Sequence, residues 1–526
     1  MSVPSWPPRD ADHLLVSGGQ MAQLEQALFE SGMPVEALME KAALAISRRL
    51  MQPDWLPRLQ SRGALVLVGP GHNGGDGLVI ARELHLAGIA VRIWSPFERR
   101  KPLTESHRRH ALWLGIPELN RSPDPGDPAL WIDALFGIGQ RRPLGEALET
   151  LLEQRQQLCP GALIAIDGPT GLCSDQGVLL GRVAACASLT LSIGLLKQGF
   201  LQDTALAWVG GLERIDLALA PPLLQTLPPQ QPLALGARDI ESAPWPQPPA
   251  AASKYERGRL LVIAGSEAYR GAALLCLAGA SATGIGSLRA ALPAAVADGL
   301  WSVQPHTVIS ARLGSRGDGT LHLSELPASA LERIDALVLG PGIGSALDSS
   351  EDQIWKRLQG FNGLLLLDAD GLNRLAQREA LPWLQGRQGP TWLTPHPGEF
   401  ARLFPDLRGL PPLEAAATAA LQSQCCVLLK GARSLVSDPR GQIWQLRSAA
   451  SASARAGLGD VLAGYAAGIG AQARAIGAAA RGDLLAAAAL AHAQAGVQAS
   501  EMGGAGAATP LNIAEILAAR GTQSAD

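Results

Sequence analysis

The chain has 526 residues, 47% hydrophobic and 17% charged, so it is longer than one ordinary domain and too apolar to be disordered. Lys and Arg number 44 against 47 Asp and Glu, and this net charge of −3 leaves no basic excess for nucleic-acid binding. Six cysteines are too few for a disulfide scaffold in a chain of this length, and they form no C-x-x-C pair, which disfavours a cysteine metal cluster. We therefore expect a cytoplasmic protein with no nucleic-acid partner.

The sequence also argues against a membrane partner. Residues 1–10 are polar and Pro-rich and lack the apolar core of a signal peptide. The longest apolar run, 484–500, contains His492, Gln494 and Gln498, which suit a buried helix better than a membrane span.

The first half of the chain alternates short apolar runs with helical stretches. A helical segment at 17–50 comes first, and further helices are predicted at 77–87 and 145–157. The predicted strands are 64–68, 91–94, 129–133, 163–167 and 187–193. Buried strands separated by helices predict parallel βαβ units.

A Pro-rich stretch at 221–250 interrupts this pattern and predicts a linker. It divides the chain into a domain at 1–220 and a domain at 251–526. The second domain repeats the α/β pattern, with predicted strands at 259–264, 336–339, 363–368, 391–394 and 425–430. Its Ala- and Gly-rich tail, 457–519, predicts packed helices, with low-complexity disorder as the alternative. The fold class is therefore α/β, with two three-layer domains and no internal repeat.

A glycine-rich loop, GPGHNGGDG at 69–77, follows the first predicted strand. Glycines let the backbone approach a ligand, and the free amides at a helix N-terminus attract anions. The loop lacks the Lys-Ser/Thr ending of a P-loop, and a tight structural turn is the alternative interpretation. Asp76 suits ordering of the loop or contact with a ribose hydroxyl better than a pure phosphate site.

Two more acids stand at strand ends in this half. Asp133 precedes ALFGIG, and Asp167 precedes GPTG. In an open parallel sheet ligands bind beyond the carboxyl ends of the strands, so these acids would form an oxygen-rich pocket with Asn73 and Thr170. A single such acid is more often a helix cap, but three loops together favour a site.

These motifs, with SGGQMAQLEQ near the start and Lys197-Gln198-Gly199 near the end, resemble the NAD(P)H-hydrate epimerases over residues 10–220. The resemblance implies a Rossmann-like sheet, a K⁺ ion held by Asn73, Asp133 and Thr170, and Asp167 as acid/base. It implies dinucleotide binding by two loops, comprising His72, Asn73, Gly74, Gly75 and Asp76, and Gly137, Ile138, Gly139, Gln140, Arg141, Arg142 and Pro143.

Three positions depart from that family's pattern. His72 replaces Asn and is expected to alter affinity or pH dependence, or else to be a plain surface histidine. Thr170 replaces Ser and keeps the hydroxyl. Gly168 replaces an apolar residue and is expected to loosen the loop beside Asp167.

The last motif in the second half is Gly-x-Gly-Asp, Gly457 to Asp460, at the start of a predicted helix. Backbone amides and a carboxylate at one point suit phosphoryl transfer to an alcohol, because that reaction needs anion stabilisation and a base. A capped Gly-rich helix turn is the alternative. Lys430 could reach a nucleotide phosphate or be a solvated lysine, and His396 could be a structural loop residue.

Together with TPHPGEFARL, LKGA and GPGIG, this motif resembles the ADP-dependent NAD(P)H-hydrate dehydratases of the ribokinase-like superfamily over residues 235–520. The resemblance implies ADP or ATP as co-substrate, Mg²⁺, and Asp460 as the base beside an anion hole at 457–459. It implies hydrate contacts from Ala272, Gly342, His396 and Asp460, and nucleotide contacts from Lys430, Gly431, Ala432, Arg433, Ser434 and Gly459. Arg455, Ala450 and the Ala-flanked His492 depart from the pattern, which bears on nucleotide preference and rate.

Both halves thus imply one function, the repair of hydrated NAD(P)H by epimerisation of its R and S forms and ADP-dependent dehydration of the S form. We also expect a homo-oligomer. Two other classes stay open: an ATP-dependent small-molecule kinase with an N-terminal regulatory domain, and a binding protein whose N-terminal half is catalytically silent.

Overall fold

The computed structural model describes residues 6–346, 349–448 and 454–520. These residues form two compact units. The N-terminal unit spans Pro8–Leu233, and the C-terminal unit joins residues 6–7 to the described residues from Ala234 onward.

The N-terminal unit contains a parallel sheet with helices between its strands. Its strands are β1 (Leu15–Val16), β2 (Ala64–Val68), β3 (Val91–Trp94), β4 (Glu118–Leu119), β5 (Leu130–Ala134), β6 (Leu163–Ile166), β7 (Leu189–Ile193), β8 (Leu196–Lys197) and β9 (Gly211–Ile215). Its helices are α1 (Gly18–Glu30), α2 (Val35–Leu50), α3 (Leu56–Arg62), α4 (His72–Leu86), α5 (Pro102–Trp113), α6 (Glu146–Leu158), α7 (Leu206–Val209) and α8 (Pro221–Leu224).

The seven-stranded sheet has the order β4-β3-β2-β5-β6-β7-β9, and every neighbouring pair is parallel. The strand order reverses between β2 and β5. Both strands are buried along their whole length, which explains their unbroken apolar sequence. A reversal of this kind opens a crevice at the carboxyl ends of the two strands.

One helix boundary differs from the sequence prediction. Helix α4 begins at His72, inside the glycine-rich loop, whereas the sequence placed its start at residue 77. The glycines permit this early start, because a Cβ on Gly74 would lie 2.1 Å from the Gly69 carbonyl oxygen.

The C-terminal unit has a larger sheet. Its strands are β10 (Leu233–Leu235), β11 (Arg259–Ile263), β12 (Ser287–Pro293), β13 (Val308–Leu313), β14 (Ala336–Leu339), β15 (Leu364–Leu367), β16 (Thr391–Leu393), β17 (Cys426–Leu429), β18 (Leu435–Ser437) and β19 (Ile443–Leu446). Its helices are α9 (Arg270–Ser281), α10 (Ala294–Ala297), α11 (Asp352–Gln359), α12 (Asp370–Ala376), α13 (Ala380–Gln385), α14 (Pro397–Leu403), α15 (Pro412–Ser423), α16 (Leu458–Ala475), α17 (Gly482–Gly503) and α18 (Pro510–Arg520).

The order of this sheet is β10-β19-β18-β17-β16-β15-β14-β11-β12-β13. It is parallel from β13 to β17, and β18 and β19 continue it antiparallel. The predicted α/β fold class is therefore confirmed for both units. The described part of the tail forms three helices, so the alternative of a disordered tail is wrong there.

The stretch predicted as a linker carries regular structure. It includes α8 and the edge strand β10, and the division between the units falls at Leu233/Ala234. Trp6 belongs to the C-terminal unit, where its indole NH donates to the Asp239 carbonyl and its own carbonyl accepts from the Trp444 indole. Among the described helices, none is long and apolar enough to cross a membrane.

Candidate active sites

A cavity of about 410 Å³ lies in the N-terminal unit at the reversal point of its sheet. Two loops line it, residues 70–73 after β2 and residues 135–140 after β5. Asp167 lies at the end of β6, and helices α1 and α2 contribute the opposite wall. The structure therefore brings the predicted loops and Asp167 to one cavity.

Asp133 and Thr170 form a buried pair beside this cavity. The Thr170 hydroxyl donates to Asp133 Oδ1 at 2.8 Å, and the Thr170 amide donates to Oδ2 at 2.9 Å. Both residues are fully buried, and burial raises the pKa of Asp133 to about 6 although the hydrogen bonds oppose it.

Asn73 is the third predicted cation ligand. Its side-chain oxygen and nitrogen are buried and have no hydrogen-bond partner among the described residues. A Cβ on Gly137 would lie 3.5 Å from Asn73 Cγ, and the neighbouring Phe136 amide donates to Thr170 Oγ1. The loop after β5 thus links Asn73 to the Asp133–Thr170 pair. An unpartnered buried amide beside a carboxylate and a hydroxyl fits a hard, oxygen-preferring cation such as K⁺.

Asp167 is held in an unusual backbone conformation. Its φ of 64° lies in the left-handed region, which a residue with a Cβ enters only at a cost. Lys197, whose side chain is fully buried, donates to Asp167 Oδ1 at 2.6 Å. The Ile138 amide lies 3.3 Å from Oδ2. The strained turn therefore presents an ion-paired carboxylate to the cavity.

Two further acids surround the same space. Asp76, in the first turn of α4, and Glu25, on α1, both line the cavity. Burial, together with the negative charge of Asp167, raises the pKa of Glu25 to about 7 and that of Asp76 well above its usual range.

The other residues predicted for this site divide into two groups. Gly137, Ile138, Gly139, Gln140 and His72 line the cavity, while Gly74 and Gly75 are buried behind it. Arg141, Arg142 and Pro143 are exposed and do not line it. Arg141 is already paired with Asp175, at 2.8 Å.

Two of the departures from the family pattern have visible surroundings. Burial and the nearby Lys101 lower the pKa of His72, whose Nε2 lies 3.4 Å from Lys101 Nζ. A Cβ on Gly168 would lie 2.4 Å from the buried Phe200 ring. Phe200 thus fills the space that a larger residue at 168 would need, so the loop beside Asp167 is packed, contrary to the expected loosening.

A charged cluster lies at the carboxyl ends of the parallel strands in the C-terminal unit. Lys430 follows β17 and donates to Asp368 Oδ1 at 2.7 Å, and the Thr394 hydroxyl donates to the same oxygen. Burial and the charge of Asp368 raise the pKa of Asp460 to about 7, while Lys430 opposes them. Asp460 lies in the first turn of α16, so a carboxylate and the free helix amides occur together there.

The glycines before Asp460 permit close approaches. Gly457 has a φ of 88°, and its Cβ would lie 2.5 Å from Leu275 Cδ1. A Cβ on Gly459 would lie 3.5 Å from Lys430 Nζ and 3.9 Å from Asp368 Oδ2. The predicted anion hole at 457–459 therefore lies directly against the Lys430–Asp368 pair.

The structure also places the other residues predicted for this site. A Cβ on Gly342 would meet the Ala272 Cβ at 2.7 Å, so these two positions are in contact. His396 caps helix α14, accepting from the Gly398 amide at 3.0 Å, and its own amide donates to Glu399. Residues 431–434 form the turn between β17 and β18, where the Gly431 amide donates to Ser434 Oγ. Ala432 is exposed, and Arg433 is buried.

Two of the three departures from the family pattern in this unit lie among the described residues. Arg455 donates to the carbonyls of Ala505 and Gly506, which ties it to the turn before α18. Burial lowers the pKa of His492 to about 4. Ala450 lies outside the described residues.

Sequence reasoning assigned no role to three residues that the structure brings to these sites. Lys197 belongs to one of the family motifs and Asp368 ends a predicted strand, but only the fold shows Lys197 on Asp167 and Asp368 on Lys430. Glu25 carries one signal, because it is an acid on the face of α1 that otherwise presents the small residues Gly18 and Ala22.

Comparison with known proteins covers both units. The family model described as YjeF-related protein N-terminus matches residues 35–199, and the NAD(P)H-hydrate dehydratase model matches residues 260–519. The bifunctional NAD(P)H-hydrate repair enzyme Nnr of Synechocystis sp. is 41% identical over 491 residues, 93% of this chain and 91% of that protein. The enzyme of the same name from Gloeobacter violaceus is 41% identical over 458 residues, 86% of this chain and 87% of that protein.

A solved structure is also similar to part of the chain. It is the ADP/ATP-dependent NAD(P)H-hydrate dehydratase from Bacillus subtilis, co-crystallised with ATP/Mg²⁺. The match has 25% identity and a TM-score of 0.43, and covers 55% of this chain and 97% of that one.

Proposed function

Because the chain belongs to the family of bifunctional NAD(P)H-hydrate repair enzymes, we propose that it restores hydrated NAD(P)H through two separate sites. The N-terminal site interconverts the R and S epimers of the hydrate, and the C-terminal site dehydrates the S form with ADP or ATP. The family predicted from the sequence is thereby confirmed, and the assignment of individual residues is part of the proposal.

One observation supports the proposed epimerase activity of the N-terminal unit most directly. The buried, unpartnered Asn73 side chain lies beside the Asp133–Thr170 pair, at the edge of the cavity that holds Asp167. A regulatory domain has no need of an unsatisfied buried amide, because that group costs stability unless a ligand satisfies it. This arrangement favours a cation-dependent enzyme over the kinase and binding-protein alternatives.

In the proposal K⁺ is held by Asn73, Asp133 and Thr170, and when bound it supplies positive charge close to the substrate. The loops at 72–76 and 137–140 bind the dinucleotide, with 141–143 at their outer end. Asp167, ion-paired with Lys197, accepts the proton of the hydroxyl at the hydrated carbon and later returns it. Loss of that proton allows the ring to open at this carbon and to close again with the opposite configuration.

In the dehydratase half, Asp460 removes the proton from the hydroxyl of the S hydrate. The hydroxyl oxygen forms a bond to the terminal phosphorus of ADP as the bond to AMP breaks. Backbone amides at 457–459 and Lys430 stabilise the transferring phosphoryl group. Phosphate then leaves the ring, a ring proton is lost, and NAD(P)H is restored.

The remaining contacts are assigned to the same reaction. Ala272, Gly342 and His396 contact the hydrate, and residues 430–434 with Gly459 contact the nucleotide. Among the described residues no three acidic, His or Cys side chains form a metal site, but Asp368 Oδ2 and the Asp460 carboxylate accept no protein hydrogen bond. These oxygens fit a Mg²⁺ ion that arrives with nucleotide phosphates, where it would neutralise phosphate charge.

The test is to incubate the purified protein with mixed R and S hydrates, K⁺ and ADP, and to follow the absorbance of reduced nicotinamide. We expect consumption of both epimers by the wild type. Asp167→Ala should stop once the S form is exhausted, and Asp460→Ala should recover nothing. Replacing K⁺ with Na⁺ should slow the use of the R form only.

Failure of the wild type to regenerate reduced nicotinamide would contradict the proposal. A stable phosphorylated product would instead support the kinase alternative. The homo-oligomer and the cytoplasmic location predicted from the sequence are kept as part of the proposal, to be checked by light scattering and cell fractionation.

A further inference from the structure

Helix α1 presents one face to the N-terminal cavity. Gly18, Ala22 and Glu25, spaced i, i+4 and i+7, all line it. The start of the helix is held in place, because the Gly18 amide donates to Asp175 Oδ1 at 2.6 Å. A Cβ on Gly18 would lie 3.0 Å from the Ile138 carbonyl oxygen, so the helix packs tightly on the loop after β5. The position of Glu25 over the cavity is therefore set by the fold.

Glu25 has none of the features of a structural carboxylate. In the part of the chain that the structure describes, it makes no hydrogen bond and no ion pair. Helix α2 contributes an apolar part of the cavity wall, which consists of Val35, Leu38, Met39 and Ala42. An acid in such a setting destabilises the protein when it is charged, so its presence calls for a reason other than stability.

The charged groups that face Glu25 come from several elements. Asp167 follows β6, Asp76 lies on α4, Lys197 lies on β8, and Lys101 precedes α5. Asp167 is paired with Lys197, whereas Glu25 is unpaired. The two carboxyl groups therefore differ: burial and Asp167 raise the pKa of Glu25 to about 7, while Asp167 has a cation at 2.6 Å. Two acids in contrasting environments around one cavity are a common basis for a division into acid and base.

We propose that Glu25 is the second acid/base group of the epimerisation, acting on the ring nitrogen while Asp167 acts on the hydroxyl. The proposal rests on the epimerase function proposed above. Position 6 of the ring is bonded to the ring nitrogen, so ring opening requires two proton transfers. Asp167 takes the hydroxyl proton, the carbon–nitrogen bond breaks as the carbonyl forms, and the nitrogen takes the proton of Glu25.

Closure reverses these steps on the opposite face. After rotation of the open aldehyde, the nitrogen attacks the other face of the carbonyl carbon. The nitrogen returns its proton to Glu25, and the new hydroxyl takes the proton of Asp167. No proton, electron or atom is gained or lost over the cycle, and neither step needs a co-reactant.

The test isolates epimerisation in the full-length protein. With no ADP present the dehydratase is idle, and conversion of pure S hydrate of NADH into the R form is followed by chromatography. Glu25→Gln removes the acid but keeps the shape. Glu30→Gln, an exposed acid on the same helix that bonds Gln26, is the matched control.

We expect Glu25→Gln to lower kcat about 100-fold, the usual contribution of one acid/base group, with KM changed by less than about threefold. The wild-type rate should fall as the pH rises above about 7, because Glu25 must be protonated to donate, and this alkaline decline should be absent in Glu25→Gln. Glu25→Asp should recover part of the rate, and Glu30→Gln should match the wild type.

A Glu25→Gln variant with kcat within about threefold of the wild type overturns the proposal. So does an alkaline decline that disappears in Asp76→Asn and persists in Glu25→Gln. A circular dichroism spectrum and a thermal unfolding curve that match those of the wild type show that each variant is folded. If the wild type itself exchanges no epimers, the proposed function fails; if only the Glu25 expectation fails, that function stands.

Discussion

At the scale of single residues, the surroundings decide what each acid in this protein does. Asp133 is fully buried and bonded to Thr170, Asp167 is paired with Lys197, and Asp460 lies against the Asp368–Lys430 pair. Burial raises the pKa of Asp133 to about 6 and that of Asp460 to about 7, so both carboxyl groups lie well above the usual pKa of an aspartate.

This difference predicts the pH dependence of the dehydratase. Asp460 must be ionised to act as a base, so a pKa of about 7 makes the rate on pure S hydrate rise about tenfold between pH 6 and pH 8. Asp368→Asn removes a charge that raises this pKa and should move the rise to lower pH. The measurement is kcat/KM with ADP across that pH range.

The matched control is Asp352→Asn, an exposed acid paired with Arg378, which should leave the profile unchanged. If the pH dependence of kcat/KM in Asp368→Asn were the same as in the wild type, ionisation of Asp460 would not be what lowers the rate at acidic pH.

At the scale of elements, the close packing of α9 on α16 positions the turn that carries the proposed base, Asp460. A Cβ on Gly464 would lie 1.9 Å from the Cys276 carbonyl oxygen, and one on Gly279 would lie 2.1 Å from the Val461 carbonyl oxygen. The two helices thus touch through their backbones. Because α16 carries Asp460 in its first turn, this contact fixes where that carboxylate and the neighbouring amides lie.

Gly464→Val should therefore push α16 away from α9. We expect a loss of about 1–3 kcal/mol in the free energy of unfolding, with a sharp fall in ADP-dependent recovery and unchanged epimer exchange. Gly271→Ala is the control, because a Cβ on this α9 glycine meets nothing within 4 Å. Its free energy of unfolding should stay unchanged or rise, as measured by denaturant titration. An equally stable Gly464→Val protein would contradict the role given to this contact.

The sequence predicted the central elements well and the peripheral ones poorly. Strands β2, β3 and β14 have the predicted bounds, because each is a short, mostly apolar and buried run, with Arg92 of β3 as the half-buried exception. Strand β13 was missed because it is largely half-exposed, which leaves no continuous apolar run. The early start of α4 was missed because a close approach between glycine backbones leaves no trace in hydrophobic periodicity.

At the scale of the whole molecule, each candidate site is built from residues of a single unit. The cavity with Asp167 uses residues 18–217 only, and the Asp368–Lys430–Asp460 cluster lies wholly in the C-terminal unit. Each activity is therefore expected to survive the loss of the other.

This independence predicts complementation between two variants that each lack one of the two activities. Asp167→Asn alone should leave the R epimer unused, and Asp460→Asn alone should recover no reduced nicotinamide. Mixed in equal amounts with ADP and K⁺, the two variants should consume both epimers, because the S form released by one is available to the other. A mixture that still leaves the R form untouched would mean that the two activities must lie in one chain.

The sequence by itself determined the α/β class, the family and the motifs, because buried strands and glycine loops leave patterns that short windows of residues reveal. Only the tertiary structure decided which charged side chains pair with each other. Lys197 meets Asp167 from 30 positions away, and Asp368 meets Lys430 from 62 positions away. It also separated Arg141 from the cavity and brought Glu25 into it. Burial and the charges of distant residues set the protonation of an acid, and both arise only when the chain has folded.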